Sequence, residues 1–122
     1  GIISPQNPAR INWSRREAHP GRPIYRAAAY SDEELGQIIF AGGSDNPYNY
    51  DGIGYNGSPA PALAQVIAFD ARKGKWVTYK DKPLATMDHR GLLKAKDRYW
   101  TLGGMVKNQE VTTAISTFKL VN

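Results

Sequence analysis

The chain has 122 residues and no cysteine, which excludes disulfide bonds, thiolate metal sites and cysteine nucleophiles. Sixteen Lys and Arg residues against eleven Asp and Glu residues give a net charge of +5. The length allows one small domain, and the apolar runs are too short for a membrane-spanning segment, so we expect none.

The positive charge is unevenly placed along the chain. Residues 1–30 carry five Arg and one Glu, residues 31–60 carry five acids and no base, and residues 61–100 carry nine bases and four acids. A basic excess can attract nucleic acid, but no Lys/Arg run here is interleaved with stacking aromatic residues. The bases alternate with acids, as on a solvated strand face, so a nucleic-acid partner is not expected.

Short segments rich in β-branched and aromatic residues, bounded by turn residues, predict an all-β chain. In chain order the predicted strands are 9–15, 24–30, 37–43, 63–70, 75–80, 88–95, 98–104 and 111–120. Helix-like windows occur at 31–35 and 62–71. The second is bracketed too tightly by Pro61 and Gly74 for a durable helix.

Two stretches of the chain match each other. In each, an Arg precedes an apolar strand that ends in Gly-Gly, and a later strand ends in Phe: Arg26, 42–43 and Phe69, then Arg90, 103–104 and Phe118. The distance from the Arg to the first Gly is 16 residues in one stretch and 13 in the other. A turn can absorb that difference, so we interpret the two stretches as repeats with Arg26 and Arg90 at equivalent positions.

This pattern, together with Trp76 after the first stretch, resembles the kelch repeat over residues 9–122. The resemblance implies a β-propeller, in which blades of four antiparallel strands surround a central channel and Trp76 packs between adjacent blades. It assigns one blade to residues 24–80, with an insertion at 44–62, and a second to 88–122, which lacks its own outer strand. It also slightly favours a secreted or periplasmic protein.

Residues 9–15 resemble the outer strand around Trp76, with Trp13 in the matching place, but they precede the blade that they would complete. Two blades cannot close into a ring alone, because propellers typically have at least four. We therefore expect either a fragment whose parent supplies the missing blades or a protomer that self-associates head to tail, three copies giving six blades.

The insertion 44–62 is the most unusual stretch, with three Tyr, three Asn and two Asp on a backbone rich in Gly and Pro. This composition is typical of binding loops. The alternative is that the Tyr rings pack over the channel or the neighbouring blade. The candidate ligand-binding residues in the insertion are Asn46, Tyr48, Tyr50 and Tyr55.

Arg26, His89 and Arg90 are further candidates, because the repeat places them near the start of the innermost strand of each blade. There an Arg either grips a carboxylate or phosphate of a ligand, or ties down carbonyl groups or an acid between blades. We expect no catalytic residue, no cofactor and no metal site. The acids of the insertion lack EF-hand spacing, and two isolated histidines do not make a metal site.

The preferred function is a non-catalytic binding or interaction module with a protein or carbohydrate ligand. The alternative is a sugar-directed enzyme resembling sialic acid mutarotase, for which Arg26, His89 and Arg90 would be the working residues. A copper centre like that of galactose oxidase would require a cysteine, which the chain lacks.

Overall fold

The computed structural model describes residues 1–122, and its regular structure consists of nine β-strands and one 3₁₀ turn, Lys107–Gln109. The strands are β1 (Ile2–Ile3), β2 (Ile11–Asn12), β3 (Ala28–Asp32), β4 (Gln37–Ala41), β5 (Val66–Asp70), β6 (Lys75–Tyr79), β7 (Leu93–Ala95), β8 (Arg98–Leu102) and β9 (Ile115–Phe118). All pairings between the strands are antiparallel. The predicted all-β class is confirmed. No helix is long and apolar enough to cross a membrane.

The first sheet is a four-stranded meander in the order β3-β4-β5-β6. Each of its two tight turns is closed by a hydrogen bond in which an Asp side chain at the end of a strand accepts the backbone N–H three residues later. Asp32 accepts the N–H of Leu35, and Asp70 accepts the N–H of Lys73. This local bond explains why the helix-like window at 31–35 forms a turn instead of a helix.

The second sheet has three strands in the order β7-β8-β9. The strands of both sheets are shorter than the segments predicted from the sequence. All lie within the predicted ranges except β3, which extends to Asp32. Residues 24–27 form a turn before β3, held by a single bridge between Tyr25 and Ser44, so β3 begins four residues later than the strand predicted at 24–30.

The predicted strand 9–15 is reduced to Ile11–Asn12, which pairs with Ile2–Ile3 in an N-terminal hairpin. This hairpin forms no strand pairing with either larger sheet, and Trp13 is 79% exposed. The sequence contained no signal for β1, because the segment Ile2–Ile3 is too short to show alternation.

The two sheets pack face to face and share the main core. Its buried side chains come from both sheets: Ala28, Ile39, Ala41, Val66, Ala68, Leu92, Tyr99 and Phe118. Trp76 is on the opposite face of the first sheet, half-buried against Phe40 and Phe69. Trp76 does not lie between these two sheets, since the strand register points it the other way, and its packing between adjacent blades stays a prediction.

A buried carboxylate connects the sheets. Asp32 of β3 accepts hydrogen bonds from the Tyr99 hydroxyl and from Lys94 Nζ at 2.8 Å, both on the second sheet. Burial alone would raise the pKa of Asp32, but the hydrogen bonds from Lys94 and Tyr99 outweigh it and hold the pKa below its usual value. Lys94 Nζ also contacts Glu34 at 2.7 Å, but that carboxylate is largely exposed.

The two stretches also repeat each other in the structure, but with a different alignment from the one predicted. Tyr25 bridges to Ser44 after the first Gly-Gly, and Met87 bridges to Met105 after the second, so Arg26 is equivalent to Asp88. Both have left-handed backbone conformations, with φ of 52° and 62°. The predicted equivalence of Arg26 and Arg90 is wrong, because the residue equivalent to Arg26 is Asp88, two positions before Arg90. The second repeat has one additional residue between this turn and β7, and its next turn, 96–97, is two residues shorter than 33–36.

Replacing Asp32 with Ala should destabilise the fold by about 3 kcal/mol, because the Tyr99 hydroxyl would be left buried without its partner and Lys94 would lose its buried one. The matched control is Glu34→Ala, which removes the exposed partner of the same lysine and should change stability little. Urea unfolding of both variants measures this. Equal losses would show that Asp32 does not hold the two sheets together.

Candidate ligand-binding face

The long connections of both sheets emerge at the same end of the molecule, which we call the loop face. It carries residues 42–65 between β4 and β5, 80–92 between β6 and β7, and 103–114 between β8 and β9. The opposite end has only the short turns 33–36, 71–74 and 96–97. Since connections tolerate variation better than strands, binding residues are expected at the loop face.

The insertion 44–62 is folded on itself by hydrogen bonds. Backbone bonds join Asn49 to Ile53 and Gly54 to Ser58. The Asn46 side chain donates to the Asn56 side-chain oxygen at 3.0 Å and to the Ser58 carbonyl at 3.2 Å. Asn46 is thus engaged within the loop.

The three tyrosines of the insertion have different environments. Tyr48 is completely buried in a second core with Ala60, Met87 and Met105, and this burial raises its pKa to about 12. Tyr50 and Tyr55 are 90% and 72% exposed. One ring therefore anchors the loop and two rings are exposed to solvent, while the binding role of the insertion stays a prediction.

The guanidinium group of Arg26 lies over the buried ring of Tyr48. Its guanidinium carbon is 5.5 Å from the Tyr25 ring centre and 5.3 Å from that of Tyr48, and its Nη1 is 2.6 Å from Asp88 Oδ1. The hydrogen bond to Asp88 raises the pKa of Arg26. Arg26 and Asp88 are equivalent residues of the two repeats. Their ion pair therefore joins the turns that precede β3 and β7, which we call the inner turns.

His89 ends a buried polar chain that the sequence did not reveal. Lys82 Nζ donates to Thr86 Oγ1 at 2.7 Å, and Thr86 Oγ1 is 2.6 Å from His89 Nε2. Lys82 can only donate here, so Thr86 Oγ1 accepts from it and is also hydrogen-bonded to His89 Nε2.

Burial disfavours the charged forms of both Lys82 and His89. Burial lowers the pKa of Lys82 to about 8, since no carboxylate pairs with it. Burial, with the nearby charge of Lys82, lowers the pKa of His89 to about 4. At neutral pH His89 is therefore an uncharged structural residue.

Two concave surfaces lie near these residues. A largely apolar groove of about 600 Å³ runs between the end of the insertion and the 3₁₀ turn, lined by Pro59, Pro61, Leu84, Val106 and Gln109 among others. A smaller depression of about 380 Å³ is lined by Asp88, His89 and Arg90 with neighbouring residues. The Arg90 side chain is 82% exposed and lies 3.8 Å from Asp88 Oδ1.

The seven predicted residues therefore do not form one cluster. Arg26 and Tyr48 are in contact, Asn46 is bonded within its loop, and His89 is buried. The exposed members are Tyr50, Tyr55 and Arg90. The groove, and the chain Lys82–Thr86–His89, were missed because their residues have no recognisable spacing. No cluster of His, Cys, Asp and Glu suitable for a metal ion is present.

Comparison with known proteins adds no relative. A scan against protein-family models finds no match, and a search of the curated proteins finds no significant one.

The state of His89 predicts an acid-sensitive fold. The unfolded chain binds a proton near pH 6.5, whereas the folded chain binds it only near pH 4, so stability is lost as pH falls through this window. Between pH 7 and pH 4 this group should contribute a loss of roughly 3 kcal/mol. The measurement is urea unfolding at several pH values for the native chain and for His89→Gln.

The variant should lose less stability than the native chain over this range, while His19→Gln, at the other histidine, should behave like the native chain. An unchanged pH profile in His89→Gln would contradict the assignment.

Proposed function

We propose that this chain is a two-blade unit of a kelch-type β-propeller and that it acts as a non-catalytic binding module through its loop face. The kelch assignment is supported by the repeat of a meander whose second strand ends in Gly-Gly, followed by a bridge back to an inner turn. It is also supported by the ion pair between the two inner turns.

The binding function is supported mainly by the arrangement of the insertion. Its anchor residue, Tyr48, is buried, its backbone is internally bonded, and Tyr50 and Tyr55 are exposed on that fixed frame. Two exposed aromatic rings on one loop offer flat surfaces on which a ligand can stack. Presenting them from an ordered loop reduces the entropy that binding must overcome.

The ligand class that we propose is a carbohydrate, whose flat apolar ring faces stack on tyrosine while its hydroxyl groups hydrogen-bond to side chains such as those of the asparagines. The loop supplies both kinds of group within a few residues, including the exposed Asn49 and Asn56. A protein ligand would use the same rings, and the experiment below separates the two.

The sugar-directed enzyme is less favoured. Such a site would need Arg26 and His89 to reach a ligand, whereas Arg26 is bonded to Asp88 and His89 Nε2 is bonded to Thr86. Accelerated exchange of sugar anomers in the presence of the chain would favour the enzyme over the module.

The test is binding of neutral and acidic oligosaccharides by the native chain and by the double variant Tyr50→Ala with Tyr55→Ala. Loss of two stacking contacts should weaken binding about tenfold or more, without lowering the melting temperature. The control Tyr50→Phe with Tyr55→Phe keeps the rings and should retain most of the affinity. Leu35→Ala, an exposed apolar residue at the opposite end, should have no effect.

Tyr48→Ala should instead destabilise the chain by about 3 kcal/mol, because it removes a fully buried ring. If no oligosaccharide binds, or if the double Ala variant binds as the native chain does, the proposal is wrong. Binding of immobilised proteins alone, lost in the double Ala variant, would replace the carbohydrate by a protein ligand.

A further inference from the structure

The two sheets pack on each other through unlike faces. The first sheet contributes the face that carries Tyr30, Ile39 and Val66, and the second contributes the face that carries Tyr99 and Phe118. Counted back from the two Gly-Gly pairs, Tyr99 is equivalent to Ile38, which lies on the other face of the first sheet. The interface is therefore heterologous, with two different surfaces in contact.

Each sheet therefore leaves open the face that is equivalent to the one the other sheet uses in the interface. On the second sheet, the open face carries the equivalents of the covered residues of the first sheet: Leu93 for Tyr30, Trp100 for Ile39, Leu102 for Ala41 and Ile115 for Val66. Leu93, Leu102 and Ile115 are all exposed. Three exposed aliphatic side chains on one face of a sheet are unusual for a monomer.

On the first sheet, the open face carries the equivalents of the residues by which the second sheet packs. It consists of Ala29, Ser31, Ile38, Phe40, Ile67, Phe69, Trp76 and Thr78. Residues 15–20 lie beside Trp76 and Thr78 and bring Arg15, Arg16 and Glu17 to that edge, and Ile67 is buried. The strands themselves place no charged side chain on this face, and the open face of the second sheet has only Arg98, at the end of its strand. Depletion of charge is typical of the centre of a protein interface.

We propose that the open face of the second sheet binds the open face of the first sheet in a second copy of this chain, repeating the contact that the two sheets make within one copy. The intramolecular interface shows how faces at these strand positions pack, and the open faces carry mostly apolar side chains at the same positions. The buried pair of that interface, Asp32 and Lys94, is replaced between copies by the uncharged Ala95 and Ser31.

The proposal predicts individual contacts. Within the chain the rings of Tyr30 and Tyr99 are 6.0 Å apart, so between copies Leu93 contacts Ile38. Strand β9 is an edge of its sheet. The segment 9–15 of the second copy is positioned to pair there, with Trp13 opposite Phe118 as Trp76 is opposite Phe69.

The direct test is cross-linking of two single-cysteine variants, since the native chain has no thiol. Leu93→Cys carrying an affinity tag is mixed with untagged Ile38→Cys and treated with a short bis-maleimide. A tagged–untagged dimer should form in high yield, and neither variant should form a dimer alone. The control pair, Leu93→Cys with Lys73→Cys, should yield no dimer, because Lys73 lies on a turn beyond the outer edge of this face.

Light scattering gives an independent measurement. The native chain should have a mass that is a multiple of 13.5 kDa at micromolar concentration, and a head-to-tail contact closes into a ring or extends as a filament. Leu102→Asp should give a folded monomer, since Leu102 is exposed in the free chain, whereas Val111→Asp, outside the open face, should still assemble. A folded native monomer, or Leu93→Cys cross-linking with itself as efficiently as with Ile38→Cys, would overturn the proposal.

Discussion

The close approach of backbone to backbone at Gly43 and Gly104 is the constraint on which the rest of the structure depends. A Cβ at Gly43 would lie 2.8 Å from the Tyr25 carbonyl oxygen, and one at Gly104 would lie 2.7 Å from that of Met87. Both residues have positive φ, 88° and 97°. A side chain at either position would push the inner turn away from the end of the strand.

These inner turns in turn determine where the loop face and the second sheet lie. With Tyr25 and Met87 held against the strand ends, Arg26 and Asp88 are brought into contact and Tyr48 packs beside them. Gly43 also donates its N–H to the Thr86 carbonyl, which places the chain Lys82–Thr86–His89 below the turn. The exposed tyrosines and the groove are supported by this buried framework.

Much of the fold could be predicted from the sequence, because strands of five residues ending in Gly-Gly are a strong local signal. The strand order of the meander was implied by the resemblance to the kelch repeat. The alignment of Arg26 with Arg90 failed, since the second repeat has one additional residue before β7 and two fewer in the next turn, and these two differences shift the alignment without changing the pattern. The insertion has no periodicity, so no local signal distinguishes the buried Tyr48 from the exposed Tyr50. The pairing of the N-terminal hairpin was equally invisible, because a two-residue strand shows no alternation.

The central claim, that close backbone approach at the second glycine of the pair fixes the inner turn, is tested most directly by comparing Gly43→Ala with Gly57→Ala. Both glycines have positive φ, but a Cβ at Gly57 meets open space. Gly57→Ala should cost about 1 kcal/mol for backbone strain alone, and Gly43→Ala about 3 kcal/mol, because steric displacement of the turn is added. Equal losses in urea unfolding would contradict the account, since the contact of Gly43 with the turn would then contribute nothing.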